Sequence, residues 1–146
     1  MNSIQTEIII NAPKKIIWDI LTDFPSYPEW NPFLIQVIGE ASPGSPVFFI
    51  AKSGFIFIPI LANILEFENG SKFSWGGPGI EWAKGLISAE HFFKIEEISE
   101  RECIFHNNET MDGIIADTIW PLIQNTELSY VEMNYALKKR AEISLV

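Results

Sequence analysis

Residues 11–33 read NAPKKIIWDILTDFPSYPEWNPF, and this stretch decides the fold. Apolar residues at positions 17, 18 and 21 recur at helical spacing after Pro13, a residue that suits the first turn of a helix. Prolines at positions 25, 28 and 32 then restrict the chain to short turns. The stretch therefore predicts a helix from Pro13 to about Leu21, followed by one or two short helical turns.

Strand patterns lie on both sides of this stretch. Residues 3–10 form the first predicted strand. Ser53-Gly54 predicts a tight hairpin connection, and Asn69-Gly70 is a strong hairpin signal because both of its residues tolerate a positive φ. A further turn at residues 99–101 separates the last two strands. The six later strands are predicted at residues 33–38, 47–52, 55–68, 72–75, 86–96 and 102–111.

The third of these later strands begins with FIFIPILANIL, the most apolar run in the chain. It is well short of the roughly 18 apolar residues that a membrane-spanning helix needs, and Pro59 interrupts it. We therefore expect no stable membrane insertion. The run predicts a strand buried on both faces, with Pro59 at an edge or a bulge.

A single long helix is predicted at residues 118–142. Pro121 would lie in its first turn, and Asp117 or Thr118 would cap it. One apolar stripe follows the 3.6-residue repeat. It contains Ile119, Leu122, Ile123, Thr126, Tyr130, Met133, Asn134, Leu137 and Ala141.

The order of these elements predicts an α+β fold. An antiparallel sheet of about seven strands would curl and bury its concave face against the one long helix. The early helix would carry the chain across the sheet from the first strand to the others. A length of 146 residues suits one domain, residues 1–146, with one core.

Composition narrows the functional classes. A net charge of −9 repels nucleic acid, so we expect no nucleic-acid partner. The one cysteine, Cys103, rules out an intrachain disulfide and favours a cytoplasmic location, with the thiol packed in a strand. Aromatic residues make up 13% of the chain, which fits either a filled core or a cavity lined by rings. Composition leaves monomer and homodimer open.

Several motifs together resemble one known family. Besides residues 11–33, these are Phe73-Ser-Trp75-Gly76, GLISAEHFFKI at residues 85–95, Glu109-Thr-Met111-Asp-Gly113, and NYALKKRAE at residues 134–142. In order and spacing they are similar to the START-like helix-grip superfamily (SRPBCC, polyketide cyclase/dehydrase-like). The resemblance implies a sheet wrapped around a long C-terminal helix, with an apolar cavity between them. Many relatives carry a His two residues before the Glu of the last strand, where this chain has Asn107.

One pair of residues could carry chemistry. Strand alternation places His91 opposite Asn107 or Glu109 on the concave face. The pair could be a polar contact that holds two strands in register, a hydrogen-bonding site for the polar head of a ligand, or a general acid/base pair. No nucleotide, hydrolase or zinc motif is present, and we expect neither a cofactor nor a metal.

The candidate ligand contacts are mostly aromatic. Trp82 lies in a Gly-rich loop and is a candidate lid. Asn134 is informative because a buried amide needs a partner, which a ligand, a water or His91 could supply. The predicted ligand-binding set is Trp30, Phe33, Phe49, Trp75, Trp82, His91, Phe93, Asn107, Glu109, Met111, Tyr130, Met133, Asn134 and Leu137.

Three functional hypotheses follow. The first is a binding protein for a hydrophobic or amphipathic small molecule of the lipid, isoprenoid or aromatic polyketide class, oriented by His91, Glu109 and Asn134. The second is a cyclase or dehydratase in which His91 is the base and Glu109 fixes its tautomer. The third is an interaction protein with a filled core.

Overall fold

The computed structural model describes residues 2–77 and 85–145. Within them, seven strands form one antiparallel sheet in the order β1-β7-β6-β5-β4-β3-β2. The first two strands of the chain therefore lie at opposite edges of the sheet. The strands are β1 (Asn2–Ile10), β2 (Leu34–Gly39), β3 (Pro46–Ser53), β4 (Ile56–Glu68), β5 (Lys72–Gly77), β6 (Ser88–Ser99) and β7 (Glu102–Asp112).

Two helical regions cover the concave face. The first is α1 (Lys14–Thr22), followed by a 3₁₀ helix (Phe24–Glu29), and it connects the two edge strands as predicted. The second is C-terminal and consists of α2 (Ile114–Ile123), a 3₁₀ turn (Gln124–Thr126) and α3 (Glu127–Ile143). The predicted α+β helix-grip architecture is confirmed. Among the described residues, no helix is both long and apolar enough to cross a bilayer.

The last helix packs on β1, β7 and α1. Its buried side chains recur at helical spacing and belong to the predicted stripe. They are Tyr130, Met133, Asn134, Leu137 and Ala141.

The beginning of the C-terminal helical region differs from the prediction. The region starts at Ile114, capped by Gly113, and the 3₁₀ turn at Gln124–Thr126 interrupts it. Gly113 has a φ of 112°, and a Cβ there would lie 2.3 Å from the carbonyl oxygen of Leu86. Because of this close approach, the helix starts at Ile114, four residues before the start that the predicted caps Asp117 and Thr118 indicated. Pro121 consequently lies near the end of α2, and the predicted stripe member Leu122 is 78% exposed.

The prediction that β4 is buried on both faces is wrong. Ala62 and Ile64 are buried, but Phe57, Leu61 and Leu65 on the other face are exposed. The concave face packs against the helices, whereas the convex face of this strand is uncovered by the described residues. Pairing with the described part of β5 extends only from Asn63 to Glu68. Within the described part of the sheet, Pro59 pairs with Ile50 of β3.

Three register shifts bend the sheet. They lie between Leu34 and Gln36, between Ile64 and Phe67, and between Glu97 and Ser99. Each places an extra residue in one strand and increases the local twist. The resulting curvature lets one sheet surround both α1 and α3.

Candidate functional site

A cavity of about 320 Å³ lies against the concave face beside the beginning of α3. Its wall is predominantly apolar, and it opens to the protein surface beside Ile60, a partly buried residue of β4. The lining residues are Phe33, Leu34, Phe49, Ala51, Ile60, Leu61, Ala62, Trp75, Gly76, Gly77, Ala89, His91, Glu109, Met111 and Tyr130.

Small residues on neighbouring strands create the space. Ala89 on β6 pairs with Gly77 on β5 and Met111 on β7. Gly76 pairs with Asn63, which is next to Ala62 on β4. Where adjacent strands carry only hydrogen or methyl side chains on one face, the helix opposite cannot fill the volume by itself. The cavity follows from this alignment.

Aromatic rings form the larger walls. Phe49 stacks on Trp75 at 4.8 Å between ring centroids. Phe33 and Tyr130 lie 5.1 Å apart and hold the start of α3 next to β2. Burial, and then the charge of Glu109, raise the pKa of Tyr130, so this phenol is neutral.

One polar pair interrupts the apolar wall. His91 and Glu109 are direct cross-strand partners, one of the two pairings that strand alternation allowed. Nδ1 of His91 lies 2.9 Å from Oε2 of Glu109, and the two side chains are 7% and 11% exposed. The imidazole also contacts the Tyr130 ring at 4.9 Å between centroids. The only ionisable pair described on this wall is therefore held rigidly and shielded from water.

A chain of buried polar groups continues behind His91. Its Nε2 contacts Oδ1 of Asn107. Nδ2 of Asn107 donates to Oδ1 of Asn134 at 2.9 Å, and Nδ2 of Asn134 donates to Oγ1 of Thr6 at 3.0 Å. Thr6 donates back to the Asn107 carbonyl oxygen at 2.6 Å. The partner that the buried Asn134 requires is thus supplied by Asn107 and Thr6.

The predicted ligand contacts divide into two groups. Seven of them line the cavity, namely Phe33, Phe49, Trp75, His91, Glu109, Met111 and Tyr130. Six lie outside its described wall, namely Trp30, Phe93, Asn107, Met133, Asn134 and Leu137. Trp82, the predicted lid, lies outside the described residues.

The six residues outside the wall contact other parts of the protein. Met133 and Leu137 are fully buried under the sheet. Phe93 packs between Phe73 and His91, with ring centroids 5.0 and 4.4 Å away. Trp30 packs on Tyr27 at 5.0 Å, so it anchors the 3₁₀ helix. Asn107 and Asn134 act on the cavity only through His91.

Sequence reasoning missed the small wall residues and Thr6. Alanine and glycine carry no chemical signal by themselves, and their meaning depends on strand register. Thr6 follows the inward alternation of β1, where it shares a face with Ile4 and Ile10. A hydroxyl residue at an inward-facing position of this strand was the signal that could have identified Thr6.

Two residues with reactive side chains lie away from this site. His106 is on the outer face, where its Nε2 lies 2.9 Å from Glu96 and its Nδ1 lies 3.4 Å from Glu7. Cys103 is fully buried, and burial raises the pKa of its thiol, as expected for an inert packing residue. No group of three or more His, Cys, Asp or Glu within residues 2–77 and 85–145 could hold a metal ion.

Comparison with solved structures supports the fold. The chain is similar to the ZhuI aromatase/cyclase from Streptomyces sp. R1128, with a TM-score of 0.78, 10% identity, and coverage of 99% of this chain and 96% of that one. A START superfamily protein from Mycobacterium smegmatis gives 0.74 at 14% identity, with both chains 99% covered. Norcoclaurine synthase from Thalictrum flavum gives 0.72 at 12% identity, with 99% and 96% covered.

No curated protein sequence matches the chain significantly. At these low identities the structural likeness establishes the fold and not the activity. A sequence profile of one family, described as polyketide cyclase/dehydrase and lipid transport, matches residues 1–142. The chain therefore belongs to the polyketide cyclase/dehydrase and lipid transport family.

Proposed function

We propose that this protein binds a hydrophobic or amphipathic small molecule, of the lipid, isoprenoid or aromatic polyketide class, in the cavity between the sheet and the C-terminal helix. The observation that carries the proposal is the composition of one wall. A space of about 320 Å³ combines stacked aromatic rings with a single His–Glu pair. Such a combination is typical of sites for small organic molecules.

Apolar burial would supply most of the binding free energy. Each Å² of apolar ligand surface removed from water contributes about 25 cal/mol. The stacked pair Phe49–Trp75 offers an aromatic surface on one side, and the tilted rings of Phe33 and Tyr130 offer a second apolar contact. The polar pair would then orient the ligand, because a desolvated polar group in this wall favours a matching group on the ligand.

The test is titration with N-phenyl-1-naphthylamine, a neutral apolar fluorophore. We expect saturable fluorescence enhancement with the wild type, and at least a tenfold loss of affinity in Ala62→Phe, which places a ring inside the cavity. Asn63→Phe is the matched control, because it adds the same ring to the next residue of β4 on the exposed face. The proposal fails if the wild type shows no saturable binding or if Ala62→Phe binds like Asn63→Phe.

A catalytic role is the second candidate, and the pair at the cavity wall is the observation that favours it. Both ring nitrogens of His91 already contact protein groups. The predicted use of His91 as the base therefore lacks a free nitrogen, and Glu109 is the better candidate for proton transfer. In this version His91 positions the carboxylate.

Proton abstraction next to a carbonyl can be measured without knowing the natural substrate. We would follow deuterium incorporation at the α-carbons of 2-tetralone in D₂O by NMR. A catalytic role predicts saturable acceleration by the wild type and its loss in Glu109→Gln, whereas Glu96→Gln on the outer face serves as the control. Exchange at the buffer rate with the wild type removes this candidate.

A further inference from the structure

The donors and acceptors of the buried hydrogen-bond chain can be assigned by starting from Thr6. A hydroxyl has one proton, and Thr6 donates it to the Asn107 carbonyl oxygen. Thr6 Oγ1 can therefore only accept from Asn134, so the Asn134 atom that faces it is the amide nitrogen. The Asn134 oxygen then accepts from Asn107, whose own oxygen faces His91. It follows that Nε2 of His91 carries a proton.

The opposite ring nitrogen faces a carboxylate. With Nε2 protonated, a neutral His91 would have a bare lone pair on Nδ1, 2.9 Å from Oε2 of Glu109. Two unprotonated acceptors at this distance in a buried site would repel each other. One further proton must therefore lie between them, on either Nδ1 or Oε2. In both arrangements the pair His91–Glu109 is neutral overall.

This arrangement determines which hydrogen bonds the cavity wall can make with a ligand. Both ring nitrogens are occupied within the protein, and Oε2 of Glu109 is turned towards Nδ1. The other carboxyl oxygen, Oε1, carries lone pairs in either arrangement, so it can only accept. Near Tyr130, Thr126 donates its own proton to the Ile123 carbonyl oxygen at 2.7 Å, so the Thr126 oxygen is left as an acceptor for the Tyr130 hydroxyl.

We infer that the ligand of this cavity carries a neutral hydrogen-bond donor, an alcohol or phenol hydroxyl, that donates to Oε1 of Glu109. A carboxylate or a ketone would place lone pairs against lone pairs. A cation would lose its hydration beside a pair with no net charge. This inference names the ligand class and rests on the proposed function.

The first experiment compares five naphthalenes as competitors of N-phenyl-1-naphthylamine at pH 7. They are 2-naphthol, 2-methylnaphthalene, 2-acetylnaphthalene, 2-naphthoate and 2-(aminomethyl)naphthalene. We expect 2-naphthol to bind about tenfold more tightly than each of the others, as one buried hydrogen bond would give. Equal or tighter binding of any of the other four overturns the inference. If N-phenyl-1-naphthylamine itself does not bind, the proposed function fails instead.

Two substitutions of similar size test the acceptor itself. Glu109→Gln supplies an amide N–H to Nδ1 of His91 and keeps an oxygen for the ligand, so the preference for 2-naphthol over 2-methylnaphthalene should survive. Glu109→Leu removes the acceptor and should abolish the preference while leaving 2-methylnaphthalene binding intact. Loss of the preference in Glu109→Gln, or its retention in Glu109→Leu, contradicts the assignment.

The proton on Nε2 can be observed directly, without relying on a variant that binds ligand. In ¹⁵N-histidine-labelled protein with His106→Gln, one imidazole remains. We expect its Nε2 to be protonated at neutral pH, and the same signal in Thr6→Ser. Thr6→Val removes the donor that fixes the amide direction, so the Nε2 signal should shift. A neutral His91 protonated on Nδ1 alone in the otherwise unaltered chain would overturn the inference.

Discussion

Aromatic rings line both ends of the concave face, but the two ends differ in how completely the space is filled. At the packed end, under α1 and the first 3₁₀ helix, Phe73 contacts Trp18, Phe24 and Phe93 with centroid distances of 5.0 to 5.9 Å. At the hollow end, beside the start of α3, Phe49 and Trp75 stack next to a cavity. The presence of aromatic rings therefore does not decide whether a region is solid.

What distinguishes the ends is the size of the residues between the rings. At the packed end, α1 and the 3₁₀ helix insert Trp18 and Phe24 over the sheet. At the hollow end, Ala62, Gly77 and Ala89 lie side by side on the sheet. A cavity forms where small residues of several strands coincide, because no neighbouring side chain is long enough to reach into the gap.

Truncating one phenylalanine at each end should give the largest difference in stability between the two ends. We expect Phe73→Ala to lower the free energy of unfolding by about 4 kcal/mol, because tightly packed neighbours cannot close the resulting void. Phe49→Ala should cost about 2 kcal/mol, since part of that ring already faces empty space. Urea denaturation with both variants measures the difference. Equal losses would show that the hollow end is packed in solution.

Enlarging one buried alanine at each end should change the free energy of unfolding in opposite directions. Ala12 is fully buried at the beginning of α1, and its carbonyl oxygen accepts from Cys103. Ala12→Leu should therefore overpack this end and cost about 1–3 kcal/mol. Ala62→Leu should instead stabilise the fold by about 1 kcal/mol, because it buries methyl groups in existing space. A destabilised Ala62→Leu protein would contradict the comparison.

The smallest effect on the free energy of unfolding is expected at Glu142. This residue lies far from the hollow end, and its side chain links α3 to the end of β1. Hydrogen bonds from Lys138 and from the Asn11 backbone N–H lower the pKa of Glu142. A lowered pKa stabilises the fold above the pKa of the unfolded chain, and this contribution disappears as the pH falls through the folded value. Glu142→Gln should cost about 0.5 kcal/mol at pH 7.

The pH dependence checks the origin of this effect. The difference in free energy of unfolding between the wild type and Glu142→Gln should vanish at acidic pH. Glu132→Gln, on the same helix, is the control and should show no such convergence. A difference that persists in acid would mean that Glu142 acts through packing and not through its charge.

Local sequence determined the elements wherever one physical signal dominated. Alternating residues and Asn69-Gly70 predicted the strands and a hairpin, and the spacing after Pro13 predicted α1. Cross-strand alternation also narrowed the partner of His91 to Asn107 or Glu109, and the strand register selects Glu109. These features depend on neighbours in the chain or on a short hairpin register, so a linear pattern contains them.

Other features were decided by contacts that no linear pattern contains. The start of the C-terminal helix depends on how closely Gly113 approaches Leu86, and the exposure of β4 depends on which face the helices cover. The cavity exists because small residues from three strands meet, and the proton on His91 is determined by Thr6, which lies 85 positions away in the chain. Sequence periodicity assigns a residue to a face, but only tertiary packing determines what lies opposite that face and whether it fills the space.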